Sequence, residues 1–300
     1  MAQTTGGRRM RKGFIAVIGG LLFIAILVLI DLASDWGRLG EGFDNLSTFL
    51  RESMWPPNWS VLEAQSYPVC DKEIEFFCSV GYIGMVETIK IAFVATILGF
   101  IGALSLSSFA AKNLMPMPIA LVFRIVLSAI RSLPSLIWAI LFVIVIGVGP
   151  LAGVLAMTFY TVGYLGKLQY EAFEGMPSDS LEVSRAMGLS HPTIFTSVVI
   201  PETGNHLLSQ LMFMFEYNVR HGTVIGLVGA GGIGFYINTY LKLLQYDKVL
   251  ALLILIFIVV IIIDLISLMI RSFVTDEGDV RQPKWFSFLL KFKKGEESEQ

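Results

Sequence analysis

The sequence carries little charge, because charged residues make up only 15% of its 300 residues, against roughly 25% in a typical soluble domain. Hydrophobic residues make up 55% of the chain, and the mean hydropathy is +0.71. A soluble fold of this composition would lack charged surface, so its surroundings must be largely lipid. We therefore predict an all-α membrane protein, since helices satisfy their own backbone hydrogen bonds in lipid.

Other scarce features exclude further classes of protein. The net charge of −2 gives no basic excess that would indicate a nucleic-acid partner. The two cysteines are too few for a disulfide scaffold, and His191, His206 and His221 do not cluster with them as a zinc site would require. No G-x-x-x-x-G-K-[ST] motif occurs, so we do not expect the chain to hydrolyse ATP itself. We predict no catalytic residue, no metal site and no cofactor of its own.

The N-terminal region predicts one span followed by an external loop. Residues 13–30 are uncharged and, at 1.5 Å per residue, nearly cross a hydrocarbon core of about 30 Å. The basic residues before them place 1–12 in the cytoplasm, 13–32 in the membrane and 33–84 outside. A cleaved signal peptide is the alternative, but its apolar region is usually about 7–15 residues long. The loop has eight acidic and three basic residues, which suits an external location.

The next part of the chain, 85–270, is predicted to contain five more transmembrane helices and a cytoplasmic loop at 171–204. Helix breakers at Gly147–Pro150 divide a long uncharged tract into two of these spans. Six spans return the C-terminal tail, 271–300, to the cytoplasm, which its basic residues favour. The five spans are predicted at 91–111, 126–147, 150–167, 206–228 and 249–270.

Two further predictions concern the loop and the tail. Cys70 and Cys78 lie in the external loop, where an oxidising compartment favours a disulfide between them, although two free thiols are the alternative. Residues 284–294, KWFSFLLKFKK, combine aromatic and basic side chains. Such a segment can lie in the membrane interface as an amphipathic helix, or form a disordered tail.

The loop between the fourth and fifth predicted spans carries the most specific motif. Glu182, Gly188 and Pro201 stand at offsets of 0, 6 and 19 residues, and Ala186 lies between the first two. Gly188 can end one helix, and either Ser190 or His191–Pro192 can begin a second helix that ends at Pro201. This pattern resembles the signature loop of ATP-binding-cassette importer permeases, which docks into a groove on a cytoplasmic ATPase. An ordinary helix-turn-helix connector is the alternative.

Other motifs narrow the resemblance to phosphonate transporter permeases, of the MetI-like permease superfamily. The stretches that carry it are FEYNVR at 215–220, TVIG at 223–226, VGAGGIG at 228–234, RSLP at 131–134 with Trp138 and Ala139, and GVGP at 147–150. The likeness covers about residues 85 to 270. It implies the fold of a type I importer permease, a multi-pass protein of the plasma membrane of a prokaryote. Both termini are then expected in the cytoplasm.

The resemblance also implies a set of partners. It implies a homodimer with the translocation path on its two-fold axis, two ATPase subunits that use ATP and Mg²⁺, and an extracytoplasmic phosphonate-binding protein. Membrane lipid surrounds the chain, and no nucleic acid is expected. The coupling residues that the resemblance assigns in this sequence are Glu182, Ala186, Gly188 and Pro201.

Charged residues within predicted spans point to an anion path. An ionisable side chain in the bilayer costs about 2.5–3.5 kcal/mol, so it normally faces protein or water. Arg131 has no acidic neighbour in sequence, whereas Glu216 and Arg220 stand at i and i+4 and can pair. Arg220 therefore either meets substrate or is locked to Glu216. The predicted pathway residues are Arg131, Ser132, Pro134, Glu216, Asn218 and Arg220.

The glycine-rich segment 229–234 has two interpretations. It satisfies G-x-G-x-x-G, with Asp247 suitably placed for a ribose contact, but a dinucleotide site needs a preceding strand within a βαβ unit. The alternative is a helix break or close helix packing, which glycine permits. The residues predicted for this role are Gly226, Gly229, Gly231, Gly232 and Gly234.

We therefore predict a permease subunit of an ATP-driven importer that moves phosphonate or a related phosphorus oxyanion by alternating access. The same class of permease could instead carry phosphite, phosphate or an amino acid. A membrane oxidoreductase that uses the glycine motif is the alternative of a different class. Co-purification separates the two classes, because a permease brings down an ATPase and an oxidoreductase carries a nucleotide.

Overall fold

The structure is a computed structural model, and it describes residues 4–32, 37–64 and 75–274. Within these ranges the chain is helical, and its only β-type pairing is an isolated antiparallel bridge between Ala64 and Ser79. The described residues divide into two compact units, Met1–Pro56 and Pro57–Gln300. The all-α membrane fold predicted from composition is confirmed.

The first unit contains the predicted first span. Its helices are α1 (Thr4–Leu32) and α2 (Gly37–Phe49), and a π-helical segment, Leu50–Met54, follows α2. Residues Phe14–Leu32 of α1 are apolar and long enough to cross a membrane. None of these 19 residues is buried by protein, so their side chains form an apolar surface of the kind that lipid covers.

The second unit contains nine helices among its described residues, preceded by short 3₁₀ turns at Trp59–Leu62 and Glu75–Cys78. A π-helical segment, Phe195–Val199, joins α8 to α9 without a break. The helices are α3 (Val80–Ala110), α4 (Met117–Ser132), α5 (Ser135–Ile146), α6 (Pro150–Glu174), α7 (Ser178–Ala186), α8 (His191–Ile194), α9 (Ile200–Gly226), α10 (Ile233–Lys242) and α11 (Tyr246–Val274).

The predicted third span over 126–147 is not one continuous helix. This region forms two helices, α4 and α5, which are bent by 83° at Leu133–Pro134. The residue before proline is disfavoured in the helical region, and Leu133 is extended, with φ −98° and ψ 131°. The break puts Arg131 at the end of a helix rather than within one.

The other predicted spans match helices with different ends. The second span starts at Val80 rather than Ile91, and the fourth ends at Glu174 rather than near residue 167. The helix breakers at Gly147 and Gly149 do separate α5 from α6, with φ of 94° and 147°. Four described helices are individually apolar enough to cross a membrane, and the bent α4–α5 pair meets the same criterion when its two helices are taken together.

The fifth predicted span, 206–228, lies in α9, which is continuous over 27 residues although it contains charged side chains. It does not reach the hydropathy of the other spans. A count of six spans and cytoplasmic termini therefore stay predictions. The tail segment 284–294 lies outside the described residues.

Buried small and polar residues hold the second unit together. Asn218 of α9 is fully buried and donates hydrogen bonds to Thr96 of α3 at 2.9 Å and to Thr161 of α6 at 3.0 Å. A Cβ atom added at Gly99 of α3 would lie 2.4 Å from Cγ2 of Thr161. Helices α3, α6 and α9 therefore pack closely around a polar centre, as in other membrane proteins.

The external loop is only partly described. Cys78 is buried beside the start of α3 and is disulfide-bonded. Cys70, the other cysteine of the sequence, lies outside the described residues. The Cys70–Cys78 pairing stays a prediction that thiol labelling with and without reductant tests.

Candidate functional site

The predicted ATPase-coupling motif forms an exposed helix and a tight turn. Glu182 and Ala186 are exposed on α7, and Leu181 and Ser184 bury the opposite face. Gly188 ends the turn with φ +71°, a left-handed conformation that side chains other than glycine rarely adopt. Its N–H donates to the carbonyl of Arg185 at 2.9 Å. We call residues 178–194 the docking segment.

The docking segment exposes apolar side chains. Val183 is 59% exposed and Met187 is 64% exposed, and both flank the Gly188 turn. Clustered apolar exposure of this kind at a polar surface is typical of a protein contact.

The predicted helix that ends at Pro201 is wrong. After the four residues of α8, the π-helical segment continues directly into α9, and Pro201 lies in the first turn of that helix. The docking segment is thus continuous with the long helix α9.

Polar contacts connect the docking segment to the spans. The Arg185 guanidinium donates to the backbone carbonyl of Asn113, in the loop between α3 and α4. The Asn113 amide donates to the carbonyl of Phe173 near the end of α6 at 2.7 Å. One residue later, Glu174 forms an ion pair with Arg124 of α4. These contacts connect α7 to the loop between α3 and α4, and that loop to the end of α6, which is bonded to α4.

Arg131 lies at the other end of α4, in its last turn, and is exposed. It forms no ion pair with any residue of the described ranges. The backbone of Arg131 lies against α6. A Cβ atom added at Gly163 of α6 would be only 2.9 Å from the Arg131 backbone nitrogen. Ser132 and Pro134, which flank the break, are also exposed.

Arg220 and Glu216 belong to a network of four charges between α9 and α11. Arg220 Nη2 lies 2.9 Å from an Asp264 carboxylate oxygen and 3.5 Å from a Glu216 oxygen. Arg271 Nη2 lies 2.8 Å from the other Glu216 oxygen. The network holds two positive and two negative groups, so it has no net charge. The structure thus favours the locked alternative for Arg220.

Asn218, another predicted pathway residue, is fully buried between helices and is not exposed along any path in this conformation. Its hydrogen bonds to two threonines give it a packing role. In sequence, Asn218 is two residues from both Glu216 and Arg220. Residues two apart in a helix point to different faces, so Asn218 faces away from these two charged side chains.

The glycine-rich segment forms the turn between α9 and α10. Gly226 ends α9, and a Cβ atom there would lie 2.6 Å from the Gly231 carbonyl oxygen. Gly229, Gly231 and Gly232 have φ of 91°, 81° and 73°. A Cβ at Gly234 would lie 1.9 Å from the Thr223 carbonyl oxygen. The segment follows a helix, so the βαβ setting of a dinucleotide site does not occur here.

A feature that sequence reasoning missed is a row of rings between α6 and α9. Tyr160 and Tyr164 of α6 stack on Phe213, Tyr217 and His221 of α9. The Tyr160 and Tyr217 hydroxyl oxygens are 2.8 Å apart, and the Tyr217 and His221 ring centroids are 3.9 Å apart. We call these five residues and Ser135 the polar-aromatic stripe.

Ser135 joins the stripe to the helix break. Its hydroxyl oxygen lies 3.2 Å from His221 Nδ1, and Ser135 begins α5 directly after Pro134. The rings follow one another at intervals of four residues, at 213, 217 and 221 in α9 and at 160 and 164 in α6. This spacing, which places side chains on one helix face, is visible in the sequence. It could have revealed each half of the stripe, but not that the halves meet.

No group of three or more potential metal ligands occurs among the described residues. The described site therefore consists of a docking segment, an unpaired arginine at a helix break, a neutral charge network and a polar-aromatic stripe.

Residues 87–275 match the family described as the binding-protein-dependent transport system inner membrane component. The chain belongs to this family. It is accordingly a multi-pass transport subunit of the cytoplasmic membrane, and the family segment contains the docking segment, the helix break and the stripe. Membership of this family accounts for the high content of hydrophobic residues and for the motif at Glu182–Gly188.

Relatives within the family include permeases of phosphorus oxyanions. The chain is 31% identical to the phosphite transport system permease protein PtxC of Stutzerimonas stutzeri, over 87% of this chain and 88% of that protein. It is 33% identical to the phosphate-import permease protein PhnE of Mycolicibacterium smegmatis, over 77% of this chain and 40% of that protein.

Solved structures support the same fold. The inward-facing MetNI methionine ABC transporter matches with a TM-score of 0.57 and 25% identity, over 65% of this chain and 96% of that one. A bacterial alginate importer matches with a TM-score of 0.57 and 15% identity, over 83% and 99%. The fold of this family member is that of an ABC type I importer permease.

Proposed function

We propose that this chain is the permease subunit of an ATP-driven importer that moves a phosphorus oxyanion, either phosphite, phosphonate or phosphate. The observation that carries the substrate class is the extensive similarity to PtxC, a phosphite permease, over 87% of this chain. Similarity to a phosphate-import permease supports the same class. The proposal does not decide among the three anions.

The docking segment is the proposed contact with the ATPase. Its exposed Val183 and Met187 offer apolar surface, and Gly188 forms the turn that presents them. The contacts of Arg185 and Glu174 pass movement of this segment to α4 and α6. ATP and Mg²⁺ are bound by two partner ATPase subunits, and this chain needs no cofactor of its own.

A second copy of the chain and an external solute-binding protein complete the proposed importer. Two copies around a two-fold axis would enclose a path, and each would contribute one Arg131. An unpaired cation within a bilayer is costly unless it meets protein, water or an anion. Arg131 is therefore the proposed cation of the anion path, whereas Arg220 already has two acidic partners.

Transport in this scheme proceeds by alternating access. Closure of the ATPase pair moves the docking segment and opens the path outward, where the binding protein releases its anion. Hydrolysis of ATP resets the path inward. Because tight binding would trap the anion, the permease provides only a transient site, and the binding protein provides selection.

Uptake into proteoliposomes tests the proposal. The chain is reconstituted with an ATP-binding-cassette ATPase and a solute-binding protein, and uptake of phosphite, methylphosphonate, phosphate and methionine is compared. We expect ATP-dependent uptake of at least one phosphorus oxyanion. Methionine is included because of the likeness to the MetNI structure. ATP-dependent uptake of methionine alone would show the amino-acid alternative to be correct.

A further inference from the structure

We propose that the polar-aromatic stripe, together with Arg131, is the transient oxyanion site inside the permease. This inference rests on the proposed function, and it names the side chains that would contact the phosphorus oxyanion. It concerns one patch, formed where the break between α4 and α5 meets α6 and α9.

The first argument is that the stripe contains hydrogen-bond donors with no assigned partner. His221 Nδ1 lies near Ser135, but its other ring nitrogen has no hydrogen-bonding partner among the described residues. The Tyr164 hydroxyl likewise forms no hydrogen bond within those ranges, although its ring stacks on three neighbours. Both side chains are only partly buried, so a ligand can reach them.

The second argument is the placement of Arg131. The segment 131–135 contacts its neighbours at both ends: the Arg131 backbone lies against Gly163 of α6, and Ser135 lies beside His221 of α9. Gly163 is the residue next to Tyr164 in sequence. The break therefore brings the Arg131 backbone to the residue before Tyr164 on α6, and it places Ser135 beside His221.

The third argument is the separation of charge on α9. Glu216 is next to Tyr217 in sequence, but its carboxylate is bonded to Arg220 and Arg271, on the side that faces α11. No carboxylate forms a hydrogen bond with any of the six stripe residues within the described part of the chain. An anion at the stripe thus meets donors and avoids fixed negative charge.

These residue types suit a transient site for a phosphorus oxyanion. Its oxygens are strong acceptors, and hydroxyl, imidazole and guanidinium groups all donate to them. Only one of the donors carries a permanent charge, so the patch attracts the anion without the field of a multi-arginine cluster. The stacked rings hold the donors in place.

The test compares uptake with ATP hydrolysis in two variants of the reconstituted importer. Tyr164→Phe removes one hydroxyl and keeps the stacked ring, and His221→Gln replaces the imidazole by an uncharged amide. Matched controls are Tyr170→Phe on the same helix as Tyr164 and His206→Gln on the same helix as His221. Each protein is assayed for uptake of phosphite, methylphosphonate and phosphate, and for hydrolysis stimulated by the binding protein.

We expect each stripe variant to lose uptake by at least about tenfold, the effect of removing one hydrogen bond to a charged group. Stimulated hydrolysis should stay within about twofold of the unaltered protein, because the docking segment is intact. The two controls should retain both activities. Loss of uptake with retained hydrolysis would support the site, since a packing defect would reduce both.

Unchanged uptake in Tyr164→Phe and His221→Gln would overturn the site and leave the proposed function standing. Loss of assembly in Tyr164→Phe would also overturn it, because it would make the stripe a packing element. If the unaltered importer takes up no phosphorus oxyanion, the proposed function itself fails. Broadening of the phosphorus NMR line of phosphite by the permease–ATPase complex then decides whether the stripe binds such an anion.

Discussion

Arg220 of α9 and Asp264 of α11 form an ion pair, with Nη2 and Oδ1 2.9 Å apart, although 44 positions separate them in sequence. The same guanidinium reaches Glu216, whose other oxygen is held by Arg271. The four groups cancel in charge and join two long helices. Arg220 is therefore a bridging residue rather than a free cation in this conformation.

We expect Arg220→Gln to lower the thermal stability of the purified permease complex, because it leaves two carboxylates with only one arginine. The Arg220→Gln and Asp264→Asn pair should be more stable than the single variants imply, with a coupling energy above about 0.5 kcal/mol. Unfolding followed by size-exclusion fluorescence measures both quantities. Strict additivity of the two single effects would show that the ion pair contributes no stability.

We expect Arg131→Gln to abolish uptake while assembly and basal ATP hydrolysis stay nearly intact. Arg131 is exposed and makes no ion pair within the described ranges, so its replacement breaks no ion pair there. Arg131→Lys, which keeps the charge, should retain part of the uptake. Proteoliposome uptake and ATP hydrolysis are measured in parallel. Normal uptake by Arg131→Gln would place the anion path elsewhere.

We expect Gly188→Val to weaken ATPase binding or uncouple hydrolysis from uptake. The left-handed backbone at Gly188 costs roughly 1–2 kcal/mol for a residue with a Cβ atom. Gly204→Val is the matched control, because Gly204 is helical and no atom lies within 4 Å of its Cβ position. Pull-down of the ATPase with each variant measures the effect. Equal recovery with both variants, together with normal coupling, would argue against the docking role. Glu182→Ala should have a milder effect.

We expect Gly234→Ala to prevent stable folding of the α9–α10 turn. The added Cβ would lie 1.9 Å from the Thr223 carbonyl oxygen, which belongs to backbone and cannot rotate away. Gly204→Ala, in open space on α9, should leave the yield of folded protein unchanged. Yield and melting temperature in detergent compare the two variants. A Gly234→Ala protein that melts like the unaltered one would show that this turn opens at little cost.

Several features were predictable because their causes are local in sequence. Hydropathy over about 20 residues is enough to mark a span, and this property identified α1, α3, α6 and α11. The turn at Gly188 and the helix break at Gly147–Pro150 follow from the dihedral preferences of single residues. Such local preferences were not sufficient at Pro201, which was predicted to end a helix and instead lies in the first turn of α9. Proline is common both just after a helix and in a first turn, so the residue alone does not distinguish the two positions.

The sequence by itself therefore determined that this is a helical membrane protein, approximately where its apolar helices lie, and which loop carries the Glu182–Gly188 motif. Only the tertiary structure decided which charges are neutralised, since Arg220 meets Asp264 through the packing of α9 on α11. It also decided that the rings of α6 and α9 form one stripe at the break beside Arg131. Helical spacing fixes which side chains share a face, but the neighbour of that face depends on how distant helices pack.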